Sequence, residues 1–527
     1  MRSAPLLLVL AAVAAAGSPS PFRIDVVDDA TGRGVPLVEL TTTGQVRFVT
    51  DSGGIVAFDE PGLLGEEVFF HVKSHGYEFP ADGFGMRGVR LRTEPGGRAT
   101  IRIRRINVAE RLYRTTGAGI YRDTLLVGAT APIAEPVANG GVVGQDSVLA
   151  IPYRGRIRWF WGDTNRVSYP LGNFAVSGAT SALDLDPDKG IDLRYFVGPD
   201  GFSRPMCPLP GDGPKWVDGL MLLPDAGGRE RLVGAFVRVK SLDVMYERGL
   251  VLYDDEKEAF ERFADFDLEE TRHPFGHPFP ATSEGRAYYY FGEPFPTLRV
   301  PASFDAVKDP NAYERLEPAV ALRDVETGKP VRPHRGSIAW NGHRRRFLAI
   351  FGEAGGTSNL GEIWFAEADH LLGPWVYARK VVTHDRYSFY NPKHHPLLDR
   401  DGGRLIHFEG TYTTAFSGND LPTPRYDYNQ VLYRLDLDDP RLALPVPVYR
   451  AKDGSLATRD GVKDWSAVEE IAFFALERAG PGTVDLGGFH GLPADAPPSS
   501  ALLPHSGGRV WTSPVRRPVA DRGARPR

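Results

Sequence analysis

The sequence contains only one cysteine, Cys207, among its 527 residues. A single thiol excludes an internal disulfide, so the fold must be stabilised by a hydrophobic core. Hydrophobic residues make up 42% of the chain, which is ordinary for a large globular protein. Cys207 lies in a Met206-Cys207-Pro208 segment with no base motif beside it, which is more typical of an inert thiol than of a nucleophile.

A stripe of Lys and Arg is also missing outside the extreme C-terminus, and the formal net charge is −5. Such a chain lacks the basic footprint of proteins that bind nucleic acid, so nucleic acid is not expected as a partner. Apolar runs of membrane-spanning length are missing after the N-terminus, and membrane insertion is therefore not expected either.

Residues 1–16 have the pattern of a secretory signal peptide. Met1-Arg2 supplies a basic start, and an apolar run from Leu6 to Ala16 follows before Gly17 and Ser18. This run is too short to span a bilayer stably. The pattern predicts that residues 1–16 are removed and that the mature protein is secreted or periplasmic.

Glycine and proline, with 59 and 44 residues, are scattered at turn positions along the chain. Many short strands joined by reversals need such residues, so the sequence predicts an all-β fold. Alternating segments between Gly, Asp and Pro clusters predict a small β-sandwich over residues 22–105, followed by a linker at 106–139.

Five segments further along the chain share one pattern, in which a polar residue opens the segment and a later apolar strand is followed by a charge. Repetition of β-rich units about 55 to 75 residues apart indicates propeller blades. We therefore predict a five-bladed β-propeller over residues 140–450, a propeller-closing or rim segment at 451–493, and a loosely ordered tail at 494–527. The predicted strand ends are Trp161-Gly162-Asp163, Val237-Arg238, Gly292-Glu293, Gly352-Glu353 and Phe408-Glu409-Gly410.

The first strand of each propeller blade lines the axis, so polar residues at the five strand starts should converge on one funnel. Those residues are Asp146, Asp218, His277, Arg335, Lys393 and His394, and the second-strand ends add Asp163, Arg238, Glu293, Glu353 and Glu409. Paired carboxylates are what glycoside hydrolysis requires, because crowding and burial raise the pKa of one carboxyl and create an acid beside a base. Trp161 and Tyr390 lie near these positions and could stack on a sugar ring.

Several short motifs resemble known families. Ile363-Trp364-Phe365-Ala366, Gly373-Pro374-Trp375 and the segment from Asn391 to Pro396 resemble the five-bladed glycoside hydrolases of the family 43 arabinanases and xylosidases. The Trp161-Gly162-Asp163-Thr164 segment resembles the family 183 D-arabinanases, and residues 22–105 resemble the transthyretin-like domain of carboxypeptidase regulatory modules.

These resemblances imply a glycoside hydrolase that acts on a polysaccharide or oligosaccharide. The family 43 resemblance implies that Asp146 is the base and that Asp218 tunes the pKa of the acid. The acid of the third blade has no clean match, because that blade opens with His277 and Glu293 lies one strand later, so Glu293, Glu353 and Glu409 are all eligible. The family 183 resemblance instead pairs Asp146 with Asp163. Under either resemblance, the substrate could be an arabinan-type glycan or an anionic glycan.

Basic residues in the predicted funnel leave other functions open. Arg238, Arg335, Lys393 and His394 could pair with the carboxylates, or could hold an anionic sugar such as a uronate. A polysaccharide lyase would then remove a proton with His277 or Tyr390. A non-catalytic, glycan-binding propeller is the third interpretation. No cofactor is expected: His277, His394 and His395 lack a further ligand motif for a catalytic metal, and a structural metal ion on the axis is one remaining option.

Overall fold

The computed structural model describes residues 20–241, 244–474, 498–502 and 509–512. Its regular structure is almost entirely β, which confirms the predicted class. One short helix, α1 (Arg122–Leu126), interrupts the strands, and no helix in the described part of the chain is long and apolar enough to cross a membrane. Short 3-10 turns lie at Asn139–Gly141, Ala306–Lys308, Pro310–Ala312, Pro396–Leu398, Asp401–Gly403, Pro440–Leu442, Arg459–Gly461 and Trp465–Ala467. The predicted signal peptide at 1–16 lies outside the described residues.

The N-terminal unit consists of two four-stranded sheets that enclose their own core. Its strands are β1 (Phe22–Asp28), β2 (Glu39–Thr42), β3 (Arg47–Val49), β4 (Ile55–Phe58), β5 (Glu67–Lys73), β6 (Tyr77–Glu78), β7 (Gly88–Arg92) and β8 (Arg98–Arg105). The sheet orders are β4-β1-β8-β6 and β3-β2-β5-β7. Alternating buried positions such as Val68, Phe70 and Val72 on β5 face the shared core, as a half-buried strand requires.

The strand β9 (Glu110–Arg114) lies in the predicted linker but belongs to a later sheet, where it pairs with β32 (Asn429–Asp436). This pairing ties the end of the N-terminal unit directly to the second half of the chain. The Arg111 side chain strengthens the tie, because it donates hydrogen bonds to the carbonyls of Pro36 and His75 and to the Ser74 hydroxyl.

Five sheets follow in chain order, and we name them I to V. Sheet I contains β11 (Leu149–Tyr153), β12 (Arg156–Trp161), β15 (Ser177–Ser181) and β16 (Arg194–Tyr195), with a small separate sheet of β10 (Val142–Gln145), β13 (Thr164–Arg166) and β14 (Tyr169–Asn173) beside it. Sheet II contains β17 (Lys215–Pro224), β18 (Glu230–Ser241), β19 (Val244–Asp254) and β20 (Ala259–Phe266), and sheet III contains β21 (Phe279–Ser283), β22 (Arg286–Gly292), β23 (Pro296–Pro301) and β24 (Glu314–Arg315).

Sheet IV contains β25 (Val320–Asp324), β26 (Pro333–Asn341), β27 (Arg346–Glu353), β28 (Ile363–Ala368) and β29 (Trp375–Val382). Sheet V contains β30 (Ser388–His394), β31 (Leu405–Thr413), β32 and, as its fourth strand, β9. The four chain-ordered strands of sheet II, for example, form an antiparallel meander, the pairing that short loops allow.

Hydrophobic clusters fill the spaces between successive sheets and between sheets V and I. Phe160 packs with Val217 between sheets I and II, and Trp159 packs with Leu432 between sheets I and V. The remaining neighbours are joined by clusters that include Met221 with Phe291, Phe295 with Phe351, and Leu348 with Phe408. Each sheet is therefore covered on both faces, which none of them could achieve alone.

The sheet repeat ends before residue 450, because β33 (Val446–Ala451) belongs to a further sheet. That sheet has the order β34-β33-β35-β37-β36, with β34 (Leu456–Ala457), β35 (Val468–Phe474), β36 (Pro498–Leu502) and β37 (Arg509–Thr512). Two strands thus lie within the segment predicted as a loosely ordered tail, and the rest of that segment lies outside the described residues.

Candidate active site

A left-handed residue recurs in or just before one strand of each of the five sheets, namely β11, β17, β21, β26 and β30. The residues and their φ angles are Ser147 (57°), Gly219 (61°), Gly276 (65°), Arg335 (34°) and Asn391 (49°). In sheets II, IV and V this residue coincides with a shift in strand register, which is the mark of a β-bulge. Bulges re-aim neighbouring side chains, and the residues just before the left-handed position are Asp146, Asp218, Phe275, His334 and Tyr390.

Contacts at these strand starts run from each sheet to the next and back to the first. Trp216 of sheet II reaches Asp163 beside sheet I, the backbone of Gly276 reaches Asp218, and Arg335 of sheet IV lies 3.5 Å from Glu293. The Ser337 hydroxyl accepts from the His394 N–H between sheets IV and V, and Tyr390 of sheet V reaches Asp146. Hydrogen bonds and one ion pair therefore link neighbouring sheets near these strand starts.

Asp146 accepts more hydrogen bonds than the other carboxylates near these strand starts. The Tyr390 hydroxyl donates to its Oδ2 at 2.7 Å, and the hydroxyls of Tyr428 and Ser147 and the backbone N–H of Asp163 also donate to it. Burial raises the pKa of Asp146, and these four donors partly oppose that rise because they stabilise the anion. A Cβ atom on Gly162 would lie 2.3 Å from Asp146 Oδ1, so only glycine allows this close approach.

Asp163 lies beside Asp146 and has fewer donors. The Trp216 indole N–H donates to Asp163 Oδ1 at 2.9 Å. Burial raises the pKa of Asp163 to about 6, with the Trp216 hydrogen bond lowering it and the neighbouring Asp146 charge raising it. Two adjacent carboxyls with unequal donor sets can divide into an anion and a proton donor.

A second group of carboxyls involves sheets II to IV. Burial raises the pKa of Asp218 to about 6; the Gly276 N–H at 3.0 Å and the Arg335 charge lower it, while Glu293 raises it. Glu293 and Arg335 are both about half exposed or less. Their 3.5 Å contact involves Nε of Arg335, so most of the guanidinium N–H groups are not bound to Glu293. This group can therefore contact a polar ligand that enters between the sheets.

His277 and Lys393 lie deeper in the same region. Burial lowers the pKa of His277 well below its usual value, helped by the charges of Lys393, His395 and Arg335, so the imidazole is neutral. Its Nδ1 has no hydrogen-bond partner among the described residues. Burial lowers the pKa of Lys393 to about 8, although the Glu409 charge raises it, and its Nζ lies 3.5 Å from the Ala150 carbonyl.

Asp146, Asp218, His277 and Lys393 are all half-buried, so each keeps part of its side chain accessible. The residues do not fit a metal ion, because Lys393 brings a positive charge next to His277 and no group of three His, Cys, Asp or Glu in the described ranges could hold one.

Two other predicted carboxylates, Glu353 and Glu409, are bound by structural partners. Glu353 ends β27 as predicted, but its Oε2 accepts from the Trp364 indole at 2.8 Å; burial raises its pKa, and Trp364 and Lys380 lower it. The prediction that Glu409 ends a strand is wrong, because β31 continues to Thr413. Glu409 is buried in mid-strand, where it contacts His395 at 3.1 Å and accepts from Thr115 at 2.8 Å.

Three predicted substrate contacts are occupied by structural partners. Trp161 is buried with its ring stacked against Trp159 and Tyr195, where it cannot meet a sugar. Arg238 does not end a strand, since β18 runs to Ser241, and it pairs with Glu247 at 2.9 Å. His394 is likewise buried and contacts Asp399 at 2.9 Å.

The loop from 414 to 428, between β31 and β32, contributes residues that the sequence pattern did not predict. Tyr428 donates to Asp146, and the half-exposed ring of Phe416 packs 5.8 Å from the Tyr390 ring. Both residues have positive φ angles, of 60° and 64°. Backbone strain of this kind is concentrated at functional sites, but it leaves no signature in the sequence.

No family model matches the sequence, and a search of curated proteins found no relative. Among solved structures, an exo-1,5-α-L-arabinanase from a bovine ruminal metagenomic library is 12% identical, with 61% of this chain and 98% of that chain covered and a TM-score of 0.35. A GH43_1 enzyme from Xanthomonas citri in complex with xylotriose is 11% identical, with 62% and 94% covered and a TM-score of 0.33. An exo-β-1,3-galactanase from Phanerochaete chrysosporium with galactose is 12% identical, with 67% and 71% covered and a TM-score of 0.36.

Proposed function

We propose that this protein is a glycoside hydrolase that cleaves a polysaccharide or oligosaccharide in a funnel at the centre of a five-bladed β-propeller, with sheets I to V as the blades. The observation that carries the proposal is the coupled carboxyl pair of Asp146 and Asp163. Their pKa values are both raised by burial, and the charge of one raises the pKa of the other. Glycoside hydrolysis needs such a pair, one member as acid and the other as base or nucleophile.

The hydrogen-bond donors around each carboxyl support a different role for each. Asp146 receives three hydroxyls and a backbone N–H, so its anion is stabilised and it attacks the anomeric carbon or activates water. Asp163 receives the Trp216 indole N–H and faces the Asp146 charge, so its pKa is raised to about 6 and it is mostly protonated below that pH. The Asp163 carboxyl then protonates the leaving oxygen, while Asp218, Glu293 and Arg335 contact the sugar hydroxyls.

The test is a substrate screen with a matched pair of variants. Purified protein is incubated with linear arabinan, xylan, galactan and polygalacturonate, and reducing ends are measured. Asp146→Asn should lower turnover by about 1,000-fold, the loss typical of a group that acts in the transition state, while the melting temperature stays near the wild-type value. The control, Asp184→Asn, removes an exposed carboxylate far from the pair and should keep full activity. Asp146→Asn activity within about tenfold of wild type would remove Asp146 from the mechanism.

A polysaccharide lyase is the second candidate, favoured by one observation. His277 is neutral with its Nδ1 unpartnered among the described residues, and Arg335 is close enough to affect its pKa. A neutral imidazole beside a guanidinium could abstract the proton next to a uronate carboxylate. Unsaturated products absorb in the ultraviolet, so absorbance during the screen would assign the lyase, and binding without either signal would leave a glycan-binding propeller.

We further propose that residues 1–16 direct export and that the N-terminal unit is a transthyretin-like sandwich. The basic start and the short apolar run support export, and the two four-stranded sheets support the sandwich. Mass spectrometry of the exported protein should find a chain that begins after about Ala16, and a mature chain that still carries Met1 would contradict the proposed cleavage.

A further inference from the structure

A cavity of about 340 Å³ lies between the N-terminal unit and sheet V. Its walls come from β2, β3 and β5 on one side and from residues 385–387 and the 414–428 loop on the other. Cavities of roughly 300 Å³ and more at the junction of two units are common ligand sites. None of the groups placed in the proposed mechanism lines this cavity.

The cavity contains two cations without a carboxylate partner. Lys73 on β5 and Arg386 in the loop before β30 both line it, both are exposed, and neither makes an ion pair within the described ranges. Arg386 has a φ angle of 52°, in the left-handed region that non-glycine residues seldom adopt.

The acidic groups of the cavity do not cancel these charges. Glu39 is already paired with Arg47 at 2.6 Å, which leaves Asp385 as the one unpaired carboxylate of the lining against two unpaired cations. The imidazole of His75, also in the wall, has a pKa well below its usual value because of burial and of the charges of His384, Arg111 and Lys73. The lining therefore has three cationic side chains, Arg47, Lys73 and Arg386, against two carboxylates, and this excess of positive charge favours an anionic ligand.

The 414–428 loop connects this cavity to the candidate active site. Leu421 and Thr423 line the cavity, whereas Tyr428 of the same loop donates to Asp146. The loop is fastened to the N-terminal unit, since the Tyr426 hydroxyl donates to the Thr50 carbonyl at 2.9 Å and Arg47 donates to the Pro422 carbonyl at 3.3 Å. A chain-like ligand held in the cavity would lie beside the loop that borders the funnel.

We propose that this interdomain cavity is a second glycan-binding site, which takes a carboxylated sugar of a polysaccharide through Lys73 and Arg386. Naming a glycan as the ligand rests on the proposed function, whereas the anionic character rests on the cavity itself. Arg386 presents a planar fork that suits a carboxylate, and Lys73 adds a point charge from the opposite wall. The N-terminal unit would then hold substrate close to the active site.

Affinity electrophoresis of the full-length protein tests the site. Gels contain polygalacturonate, neutral linear arabinan or polyglutamate, and retardation gives an apparent affinity for each polymer. Wild type should be retarded by polygalacturonate alone. Arg386→Gln and Lys73→Gln should each weaken that affinity by about tenfold, the effect of losing one charge-assisted contact (~1.4 kcal/mol). The control Arg90→Gln removes an exposed arginine of the same unit, on β7, and should bind as wild type.

Each other outcome overturns the proposal in a recognisable way. Equal retardation by polyglutamate would mean that the protein binds any polyanion, and unchanged binding by both variants would place the ligand elsewhere. Loss of retardation in Asp146→Asn would assign the binding to the funnel. Absence of wild-type retardation would refute the site outright. Because binding is measured without turnover, failure of the hydrolase proposal alone would leave the electrophoretic result intact.

Discussion

The hydroxyl of Tyr390 donates to the carboxylate of Asp146 at 2.7 Å, although the two residues lie 244 positions apart in the chain. This bond joins the last of the five sheets to the first. The bond also gives Asp146, the proposed base, a neutral hydrogen-bond donor. The contact between the last sheet and the first therefore affects the pKa of the base.

Tyr390→Phe should move the acidic limb of the pH–activity profile to higher pH. The Tyr390 bond lowers the pKa of Asp146, so its loss raises that pKa, and the base is ionised only at higher pH. A hydrogen bond to a charged group contributes about 1.5 kcal/mol or more, which corresponds to roughly one pH unit. Profiles of kcat/KM for the wild type and the variant measure the shift.

The control for Tyr390→Phe is Tyr289→Phe, whose hydroxyl donates to the Leu222 carbonyl away from the carboxyl pair. This variant should lose some thermal stability but keep the wild-type profile. A Tyr390→Phe profile that superimposes on the wild-type profile would show that Asp146 does not set the acidic limb.

Asp163→Asn should abolish cleavage of substrates with poor leaving groups and spare those with good ones. The proposed acid has a pKa of about 6, so wild-type activity should also fall as pH rises through about 6. A nitrophenyl glycoside needs little protonation of its leaving oxygen, whereas a natural glycan needs it fully. We expect a loss of about 100-fold or more on the glycan and less than about tenfold on the nitrophenyl substrate.

The control for this experiment is Asp218→Asn, since Asp218 is proposed to contact the sugar and not to protonate it. Its losses should be similar for the two substrates. The opposite pattern, with the leaving-group dependence in Asp218→Asn, would transfer the acid role to Asp218.

The buried carboxyls should make the protein less stable as pH rises. Asp163 and Asp218 have folded-state pKa values of about 6, above the unfolded values, so their stabilising effect is present below pH 4 and lost as pH rises through 6. Asparagine mimics the protonated form. Asp163→Asn and Asp218→Asn should therefore unfold with a free energy about 1–2 kcal/mol above wild type at pH 7.5, and equal to wild type near pH 4.

In the same denaturation experiment, Asp188→Asn should change the free energy of unfolding in the opposite direction. Burial raises the pKa of Asp188, but His407 and Arg434 outweigh it and bring the pKa down to about 2. Its contribution is present above the unfolded pKa and lost as pH falls, so this variant should be less stable than wild type at pH 7.5. Curves for Asp163→Asn that stay below wild type at every pH would contradict a raised pKa.

Local signals in the sequence account for the strand pattern and for part of the site. Gly and Pro mark reversals wherever they occur, so the all-β class and the segments that begin at Asp146 and Asp218 could be predicted. Glu409 could not be placed correctly, because the end of β31 is set by its hydrogen bonds to β30 and β32 and not by the Phe-Glu-Gly sequence. Tyr428 escaped prediction for the same reason, since only tertiary structure brings its loop to Asp146.

Phe416→Ala should raise KM for a polymeric substrate about threefold to tenfold and leave kcat nearly unchanged. The Phe416 ring is half exposed, packs 5.8 Å from the Tyr390 ring and is held at a φ angle of 64°, so it is fixed in place without being part of a core. An aromatic face in this position can stack on a sugar next to the bond that is cut, with a contribution of about 0.5–1.5 kcal/mol.

The control is Phe84→Ala, which removes an even more exposed phenylalanine from the N-terminal unit and should leave both constants unchanged. Steady-state kinetics on the polymer and on a nitrophenyl monosaccharide separate the interpretations, because a stacking residue affects KM for the polymer alone. A fall in kcat on both substrates would instead mean that Phe416 acts by positioning Tyr390 against Asp146.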